Sequence, residues 1–451
     1  MGNGASRSAV LCAYLAIDGG HSLAAPSLVY TEDYRFANPA TASDGIGSSI
    51  DLRGDLLLVG SSREGTYRGA AYLFDIEQRA FLERFEPAEA PINAEFGNSV
   101  ALAGGAAVLG ARRVGFSDGD GWYGACEIVP IESPSPPFRL SADGGETVAG
   151  FGVRMARTED RLFVCAGGDD SAGVDSGAVY AFDLPSFEFS HRITLPDRPG
   201  EGLGGLIAAS GNRIAVGAVG ASRPWYGGAI YVFQADSGAL IGELPLDEVT
   251  DAGRFHLYDL AMSESHIVVG VDATFDDLAR FRSTALVFDA ETLELVAQFS
   301  PEYLDRGLGA PAVAVSEDAV LLGTSAEVQG SVRRCVLVFS LETGWPVATL
   351  IPFNETGAFA FHIAVEGRRV VTAGRTRSPS SSIHVFTLPE FIEGCTGADL
   401  TTPYGQLDLA DLVTFVTGFM NEDPIADCNG NGFFDLFDIQ AFVTSFNAGC
   451  P

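Results

Sequence analysis

The stretch FGNSVALAGGAAVLG, residues 96–110, opens on an aromatic–glycine pair and closes on an apolar run that ends in glycine. Two apolar runs flank its short Ala-Gly-Gly-Ala turn, which is typical of a β-hairpin with glycine at its tip. Six further stretches share this outline. They are IGSSIDLRGDLLLVG from Ile46, FGVRMARTEDRLFVCAG from Phe151, LGGLIAASGNRIAVG from Leu203, FHLYDLAMSESHIVVG from Phe255, LGAPAVAVSEDAVLLG from Leu308 and FAFHIAVEGRRVVTAG from Phe359.

The seven copies are spaced almost evenly. Successive copies start 50, 55, 52, 52, 53 and 51 residues apart, which indicates a repeat fold. Each unit continues with a third apolar run and a more polar fourth run, such as AAYLF (70–74) and FLERFEP (81–87). Four short antiparallel strands in about 50 residues form one blade of a β-propeller, so the sequence predicts an all-β, seven-bladed propeller. A parallel β-solenoid fits poorly because its coils are about half as long.

The seventh unit has no fourth strand, because only TLPEF follows its third run, SIHVF (382–386). The missing strand is predicted at the other end of the chain. There, SLVYTEDYRFANPATASDGIG precedes the first repeat in the layout that AFLERFEPAEAPINAEFG has before the second. Residues 27–38 are therefore predicted to form the outer strand of the last blade and to close the ring, which also protects exposed sheet edges.

The composition argues against some partners. The 451-residue chain has 59 acidic and 27 basic residues, for a net charge of −32. A nucleic-acid-binding surface needs a basic footprint, so nucleic acid is not expected as a partner, and anionic membranes are disfavoured for the same reason. Glycine is abundant, at 54 residues, as expected of many short strands joined by tight turns.

The N-terminus has the layout of a signal peptide. One arginine precedes an apolar run at residues 9–17, and small residues follow at 22–25, so residues 1–25 are predicted to direct export. The run is too short to span a bilayer, and the sequence predicts no membrane span elsewhere. The alternative is a slightly apolar terminus with no targeting role.

The repeats contain no recognisable catalytic motif. Seven cysteines are too few and too scattered for a disulfide framework, and Cys165 and Cys335 lie in apolar runs typical of buried thiols. None of the six histidines forms a metal-like pair, and no GxSxG, HExxH or phosphate-binding loop occurs. An active site assembled from several blades would leave no local motif, so the sequence does not decide against catalysis.

Arginine and large aromatic residues concentrate in loops that the predicted strand order brings to one rim. On this rim the loop between the second and third strands lies beside the loop that enters the next blade. Exposed Trp, Tyr and Arg dominate recognition surfaces, so the rim is a candidate ligand site. The sequence leaves open the alternative that the aromatics pack between blades and the arginines neutralise nearby acids. The residues are Arg63, Tyr67, Arg68, Arg112, Arg113, Trp122, Tyr123, Arg223, Trp225 and Tyr226.

The last part of the chain departs from the repeats. DLADLVTFVTGF (408–419) and DLFDIQAFVTSF (435–446) are identical at seven of twelve positions and lie 27 residues apart, which indicates a tandem duplication. Each copy predicts a loop followed by a short helix. The second helix carries Ile439, Phe442, Val443 and Phe446 on one face.

The loop before the second helix has the spacing of an EF-hand. DCNGNGFFDLFD, residues 427–438, places Asp, Asn and Asn at positions 1, 3 and 5, Gly at 6 and Asp at 9 and 12, where Glu is usual. This supplies the oxygen ligands and sharp turn that calcium requires. The first loop, from Asp399 to Asp411, is one residue longer and places Pro403 and Tyr404 where an oxygen ligand should stand. The predicted ligands are the side chains of Asp427, Asn429, Asn431, Asp435 and Asp438 and the carbonyl of Phe433.

The repeats resemble the FG-GAP family, which includes the propellers of integrin α-subunits and many bacterial exported proteins. The resemblance covers residues 27–391 and rests on the Phe-Gly openings FGNSVA and FGVRMA; the other copies keep the hydrophobic outline. Several members bind calcium in a DxDxDG loop between the first two strands of a blade. Here those turns are short, so that function does not carry over. Two other acidic loops are interpreted as solvated turns; their acids are Asp118, Asp120, Asp169, Asp170 and Asp175.

The C-terminal duplication resembles a type I dockerin, and more narrowly the terminal unit of bacterial GC-type dockerin domain-anchored proteins, which end in FNAGCP as this chain does. The resemblance covers the chain from Cys395 onward. It implies a calcium-dependent module that docks onto a partner, typically a cohesin-like module, or onto a cell-envelope protein. It also implies that the two ends of the module meet, which together with export predicts a Cys395–Cys450 disulfide. The alternative is a calcium-stabilised cap with no partner.

Three segments are thus predicted: a signal peptide at 1–25, a propeller at 26–391 and a dockerin-like, EF-hand-containing module at 392–451. The expected function is an exported, non-catalytic recognition or scaffold protein whose propeller binds an extracellular protein or glycan. The second possibility is an extracellular propeller enzyme that acts on polysaccharide and is tethered by the module. Acids or histidines from several blades converging on the rim favour the enzyme, whereas a rim of Trp, Tyr and Arg alone favours binding.

Overall fold

A large all-β unit and a smaller helical unit make up the computed structural model. The chain divides into residues 1–339 with 346–387, and residues 340–345 with 388–451. The structure describes residues 29–37, 39, 46–87, 91–117, 121–131, 133, 135–140, 142, 148–195, 198, 200–218, 227–246, 255–274, 281–299, 311–328, 331–341, 346–352, 359–374, 382–388, 400, 409–420, 426, 439–440, 442–443 and 446.

The large unit is a seven-bladed propeller, as predicted, and its first five blades are four-stranded antiparallel sheets. Blade 1 contains β3 (Ile50–Arg53), β4 (Leu56–Ser61), β5 (Ala70–Asp75) and β6 (Ala80–Phe85). Blade 2 contains β7 (Ser99–Ala103), β8 (Ala106–Ser117), β9 (Gly121–Pro130) and β10 (Phe138–Leu140). Blade 3 contains β11 (Phe151–Arg157), β12 (Arg161–Ala166), β13 (Ala178–Asp183) and β14 (Glu188–Ile193).

The remaining blades repeat this order, and the last two also take strands from the N-terminal segment. Blade 4 contains β15 (Leu203–Ser210), β16 (Arg213–Ala218), β17 (Ala229–Gln234) and β18 (Leu240–Glu243). Blade 5 contains β19 (Phe255–Met262), β20 (His266–Thr274), β21 (Phe281–Asp289) and β22 (Leu295–Phe299). Blade 6 contains β23 (Ala312–Val315), β24 (Ala319–Val328), β25 (Ser331–Ser340), β26 (Pro346–Ile351) and β1 (Val29–Thr31). Blade 7 contains β27 (His362–Glu366), β28 (Arg369–Ala373), β29 (Ser382–Thr387) and β2 (Tyr34–Ala37).

Helix α1 (Glu64–Tyr67) in the propeller and helix α2 (Leu409–Met420) in the small unit complete the elements of the described residues. The described residues of the second predicted helix, among them Ile439 and Phe442, are also helical. Within the part of the chain that the structure describes, no helix is long and apolar enough to cross a membrane.

The core lies between neighbouring blades, which explains the apolar runs of the sequence. Side chains alternate between the two faces of a strand. In β13, Tyr180 and Phe182 pack towards blade 2, whereas Val179 and Ala181 pack towards blade 4. Because both faces of the middle strands are buried, these strands are apolar throughout rather than alternating.

The glycines of the repeat motif lie where consecutive blades come closest. A Cβ atom added to Gly60, at the end of β4, would lie 2.0 Å from the carbonyl oxygen of Gly97 in the next blade. The same contact recurs one blade later, where a Cβ on Gly110 would lie 2.1 Å from the oxygen of Gly152. Distances this short leave no room for a side chain, so the glycine that closes one repeat and the Phe-Gly that opens the next form a single seam.

The N-terminal segment closes the ring, as predicted for residues 27–38. Strand β2 runs antiparallel to β29 with Phe36 opposite Ile383, and the Phe36 ring lies 4.7 Å from that of Phe74 in blade 1. The preceding β1 was not predicted as a separate strand; it adds to β26 in parallel, with Tyr30 opposite Leu350. The segment therefore joins blades 6 and 7 and packs against blade 1.

Gly110→Ala is expected to lower the free energy of unfolding by about 2–3 kcal/mol, because the new methyl group meets the backbone of the next blade. Gly167→Ala is the matched control, because neither glycine has a positive φ and a Cβ on Gly167 would meet no atom within 4 Å. Chemical denaturation of both variants checks the prediction. Equal stability of the two variants would contradict the seam.

Phe36→Ala is expected to lower the free energy of unfolding by about 3 kcal/mol, because it removes a buried ring from the closing strand. Deletion of residues 26–38 is expected to lower the melting temperature further. It removes the backbone hydrogen bonds between β2 and β29 together with the buried and partly buried side chains of β2. Thr31→Ala, on the exposed part of the same segment, serves as the control and should leave the melt unchanged. A deletion variant that melts like the wild type would refute closure by this segment.

Candidate functional site

The candidate site lies on the 2–3 rim, the end of the propeller where the second strand of each blade connects to the third and where the chain enters the next blade. The two sets of connections touch. Gly69, after the blade 1 connection, forms a parallel bridge with Phe96 at the entry to blade 2, and Gly177 does so with Leu203 two blades on. Residues from neighbouring blades are thereby held side by side.

Arg63, Tyr67 and Arg68 lie in the blade 1 connection, which contains α1. This single turn is left-handed, with φ of +58°, +62° and +62° at residues 65, 66 and 67, a conformation that residues other than glycine rarely adopt. Hydrogen bonds from the Gly69 amide to the Glu64 carbonyl (3.0 Å) and from the Glu95 amide to the Tyr67 carbonyl (2.8 Å) hold it. The Tyr67 side chain is thereby presented at the tip, 41% exposed.

Arg112 and Arg113 lie in strand β8 rather than in the loop that the sequence predicts. Strands β8 and β9 continue as a hairpin beyond the blade, as far as the pair Ser117–Gly121, and their register shifts between Ala111 and Gly115. Such bulges redirect side chains. Both arginines are partly exposed and share one carboxylate, with Nη1 atoms 3.8 and 3.6 Å from the oxygens of Glu95.

Backbone hydrogen bonds join these segments into one surface. Glu95 donates to the Tyr67 carbonyl, and Arg113 donates to the Ala94 carbonyl at 3.2 Å. We call this surface the Arg–Tyr patch and define it as Arg63, Tyr67, Arg68, Arg112 and Arg113.

One predicted rim aromatic, Tyr123, packs on its own hairpin, and other predicted rim residues lie outside the described residues. The Tyr123 ring lies over Gly115 of the same hairpin, where an added Cβ would come 1.9 Å from its Cζ. The Trp122 backbone belongs to β9, but its side chain lies outside the described residues, as do Arg223, Trp225 and Tyr226.

A buried polar network supports the patch from beneath. The Tyr72 hydroxyl donates to Glu64 at 2.7 Å, and Arg84 donates to the same carboxylate at 2.7 and 3.1 Å. Burial and the hydrogen bond to Glu64 raise the pKa of Tyr72 well above its usual value. Glu64 is thus committed to this network and does not neutralise the arginines at the surface.

The positions of Tyr72 and its polar partners have counterparts in other blades, where different residues occupy them. In blade 3, Tyr180 donates to Asp169 and pairs across the strands with Arg192. In blade 4, Arg198 donates to the hydroxyl of Tyr231. Blade 2 has Glu127 at the tyrosine position, 4.0 Å from Arg139. Polar residues beneath the rim are therefore a repeated feature of blades 1 to 4.

One acidic loop differs from its predicted character. Asp169 is buried rather than solvated, because its carboxylate accepts hydrogen bonds from the Tyr180 hydroxyl and, at 2.7 Å, from the Ser171 amide. Asp170 and Asp175 are exposed, as predicted. Residues 118–120 lie outside the described residues. Among the residues that are described, no group of three or more His, Cys, Asp or Glu side chains is placed to hold a metal ion.

A second polar cluster on this rim was missed by the sequence analysis. His256 and Tyr258 of β19 lie with ring centroids 6.1 Å apart, and His256 is paired across the strands with Asp272. Asp272 accepts a hydrogen bond from Ser283 at 2.8 Å and is 5% exposed. Burial raises the pKa of the Asp272 carboxyl, although the Ser283 hydrogen bond and the charge of His256 oppose the shift. Because its residues come from three strands, no local motif reveals the cluster.

The opposite end of the propeller carries a cavity of about 400 Å³ beside the Gly104–Gly105 turn of blade 2. Its lining is mostly apolar, including Leu102 and Leu184. Arg53 of blade 1 and Glu159 of blade 3 also line it and form an ion pair of 2.7 Å. Gly104 and Gly105 at the tip of this turn have no side chains, and this absence leaves room for the cavity.

The small unit is built around equivalent residues of the duplication. Phe415 of α2 stacks on Phe442 with ring centroids 4.0 Å apart, and Phe419 and Phe446 pack beside them. The buried Asp411 accepts a hydrogen bond from the Leu400 amide at 2.8 Å. Apolar residues 27 positions apart are also left exposed in equivalent pairs: Leu412 with Ile439, and Val416 with Val443.

The predicted calcium ligands Asp427, Asn429, Asn431, Phe433, Asp435 and Asp438 lie outside the described residues, as do Cys395, Cys450 and residues 1–25. Of the described cysteines, Cys165 and Cys335 are buried thiols, as predicted, and Cys126 is buried as well.

Comparison with known proteins places the fold and does not name a family. No family model matches the chain, and no curated protein matches it. The structure is similar to the Neurospora crassa Pan2 WD40 domain (TM-score 0.52, 14% identity, 79% of this chain and 95% of that chain). It is also similar to Kuenenia stuttgartiensis hydrazine synthase, with a TM-score of 0.52 and 12% identity over 77% of this chain and 96% of that chain. The polysaccharide lyase Uly1 is similar with a TM-score of 0.51 and 10% identity over 76% of this chain and 90% of that chain. At these identities the likeness supports the propeller fold alone.

Proposed function

We propose that this protein is an exported recognition protein, with a propeller of FG-GAP type that binds an extracellular ligand at its 2–3 rim. The observation that carries the proposal is the Arg–Tyr patch. Tyrosine and arginine are exposed there on a backbone that three hydrogen-bonded segments hold in place. Residue types that dominate binding surfaces, presented on a rigid scaffold, are what a recognition site requires.

We propose further that the small unit is a dockerin-like module that binds calcium at residues 427–438 and docks to a cohesin-like or cell-envelope protein. The duplicated Phe415–Phe442 stack and the loop spacing support this assignment. The exposed pairs Leu412–Ile439 and Val416–Val443 give the module an apolar surface for a partner. The Cys395–Cys450 disulfide and the signal peptide at 1–25 belong to the same proposal.

The second candidate function is a polysaccharide-active enzyme on the same rim. The observation that favours it is the cluster of His256, Tyr258 and Asp272, because a histidine and a tyrosine beside a buried carboxylate are suited to acid–base chemistry. Recognition is the better-supported function because the Arg–Tyr patch exposes Tyr67 and Arg68, whereas Asp272 of the cluster is buried. Loss of substrate turnover in a His256→Ala variant, with binding retained, would reverse this order.

Tyr67→Ser is expected to weaken binding of the propeller ligand at least tenfold, because truncation of a central aromatic residue at an interface commonly costs about 2 kcal/mol. The measurement is a screen of the whole chain against glycans and envelope proteins, followed by affinity measurements on each ligand found. Phe81→Ser, which removes an exposed aromatic from the outer strand of blade 1, is the matched control. A ligand that binds both variants and the wild type equally would place recognition elsewhere.

Calcium is expected to bind the whole chain at one principal site and to stabilise the small unit by roughly 2.7 kcal/mol at about 100 times its dissociation constant. Asp427→Ala removes the position 1 ligand and should abolish most of the binding heat in titration calorimetry. Asp408→Ala, in the longer first loop, is the control and should matter less. The absence of binding heat with wild-type protein would rule out a calcium-dependent module.

A further inference from the structure

The Arg–Tyr patch brings four arginines together on a strongly acidic protein. The sequence contains no lysine, so all 27 basic residues are arginine, against 59 acidic residues. Four of these arginines lie in the patch. Charges farther away than a Debye length of about 8 Å are screened at physiological ionic strength, so the local charge, and not the net −32, governs what contacts this surface.

The described carboxylates beside the patch include those of Glu64 and Glu95. Glu64 is buried and held by Tyr72 and Arg84. Glu95 is shared between Arg112 and Arg113 at distances longer than a direct hydrogen bond. Among the residues that the structure describes, no carboxylate forms an ion pair with Arg63 or Arg68. The patch therefore combines these two guanidinium groups with those of Arg112 and Arg113, which share the partly buried Glu95 carboxylate.

The backbone of the patch is fixed in an unusual conformation. Thr66 and Tyr67 have positive φ, and so do Asn93 and Glu95 in the segment hydrogen-bonded to them. Non-glycine residues keep such angles only where the surroundings enforce them, and these residues cluster at ligand sites. The enforced turn leaves the Tyr67 side chain exposed and bonds its carbonyl to the Glu95 amide of the segment that enters blade 2.

The chemistry of this surface selects an anionic ligand with a flat, partly apolar body. A guanidinium group recognises a carboxylate through two parallel hydrogen bonds, and two or more such groups select a ligand with repeated carboxylates. A tyrosine ring offers an apolar face and a hydroxyl group, which suit the C–H face and hydroxyl groups of a sugar ring. We propose that the Arg–Tyr patch binds an acidic polysaccharide whose sugar rings carry carboxylates. This inference rests on the proposed recognition function of the rim.

The test measures binding of the whole chain to polygalacturonate, to the same polymer after methyl esterification, and to poly-L-glutamate. We expect polygalacturonate to bind, esterification to abolish binding and poly-L-glutamate to bind at least tenfold more weakly. Arg68→Gln/Arg112→Gln should reduce the affinity for polygalacturonate by about a hundredfold, roughly tenfold for each paired contact. Arg68→Lys/Arg112→Lys keeps the charge and should lose less.

The matched control is Arg53→Gln/Arg79→Gln, which changes the net charge equally at the opposite end of the propeller and should stay within about twofold of wild type. Thermal melts of all variants show whether each is folded. Equal binding of poly-L-glutamate, or a loss in the control variant as large as in the patch variant, would overturn the inference. Failure to bind polygalacturonate would also overturn it. The recognition function would survive that failure if Tyr67→Ser still weakens binding of a ligand found in the wider screen.

Discussion

The close backbone contact between consecutive blades is the constraint on which the rest of this protein depends. Gly60 meets Gly97, and Gly110 meets Gly152, at distances that leave no room for a side chain. Where blade 3 meets blade 4, Cys165 replaces the first glycine and Gly204 keeps the second, so one glycine is enough at that seam. The seam ties the second strand of one blade to the first strand of the next, which accounts for the even spacing of the repeats and for the core between blades.

The same constraint leaves the 2–3 rim free to vary. The connections lie just beyond the seams, and their ends are fixed by bridges such as Gly69–Phe96. A short left-handed turn in blade 1, a bulged hairpin in blade 2 and a polar cluster in blade 5 therefore stand on equivalent supports. Buried groups such as Glu64 and Asp169 hold these connections, and the arginines and Tyr67 are presented above them. Residues on these connections can therefore differ from blade to blade without disturbing the ring.

Much of the fold was predictable from the sequence, because the regular spacing of the repeats and the apolar runs within them can be recognised in short segments. The seven blades and the closing strand β2 followed from them. Strand β1 did not, because three residues with little burial carry no pattern and pair with a strand more than 300 positions away. The sequence predicts a loop where the bulged hairpin with Arg112 lies, because polar residues interrupt its apolar alternation. The burial of Asp169 depends on the Tyr180 hydroxyl, and the His256 cluster on three strands, so neither leaves a trace in a single segment.

We propose that ligands bind this propeller at the patch formed by blades 1 and 2. Hydrogen–deuterium exchange of the whole chain, with and without polygalacturonate, tests it most directly because it reports where the backbone becomes protected. Protection is expected in peptides covering residues 62–69, 91–96 and 111–117, with no change at the turns of the opposite end around residues 53–56 and 103–106. Protection confined to those opposite turns, or to the strands around His256, would contradict ligand binding at the Arg–Tyr patch.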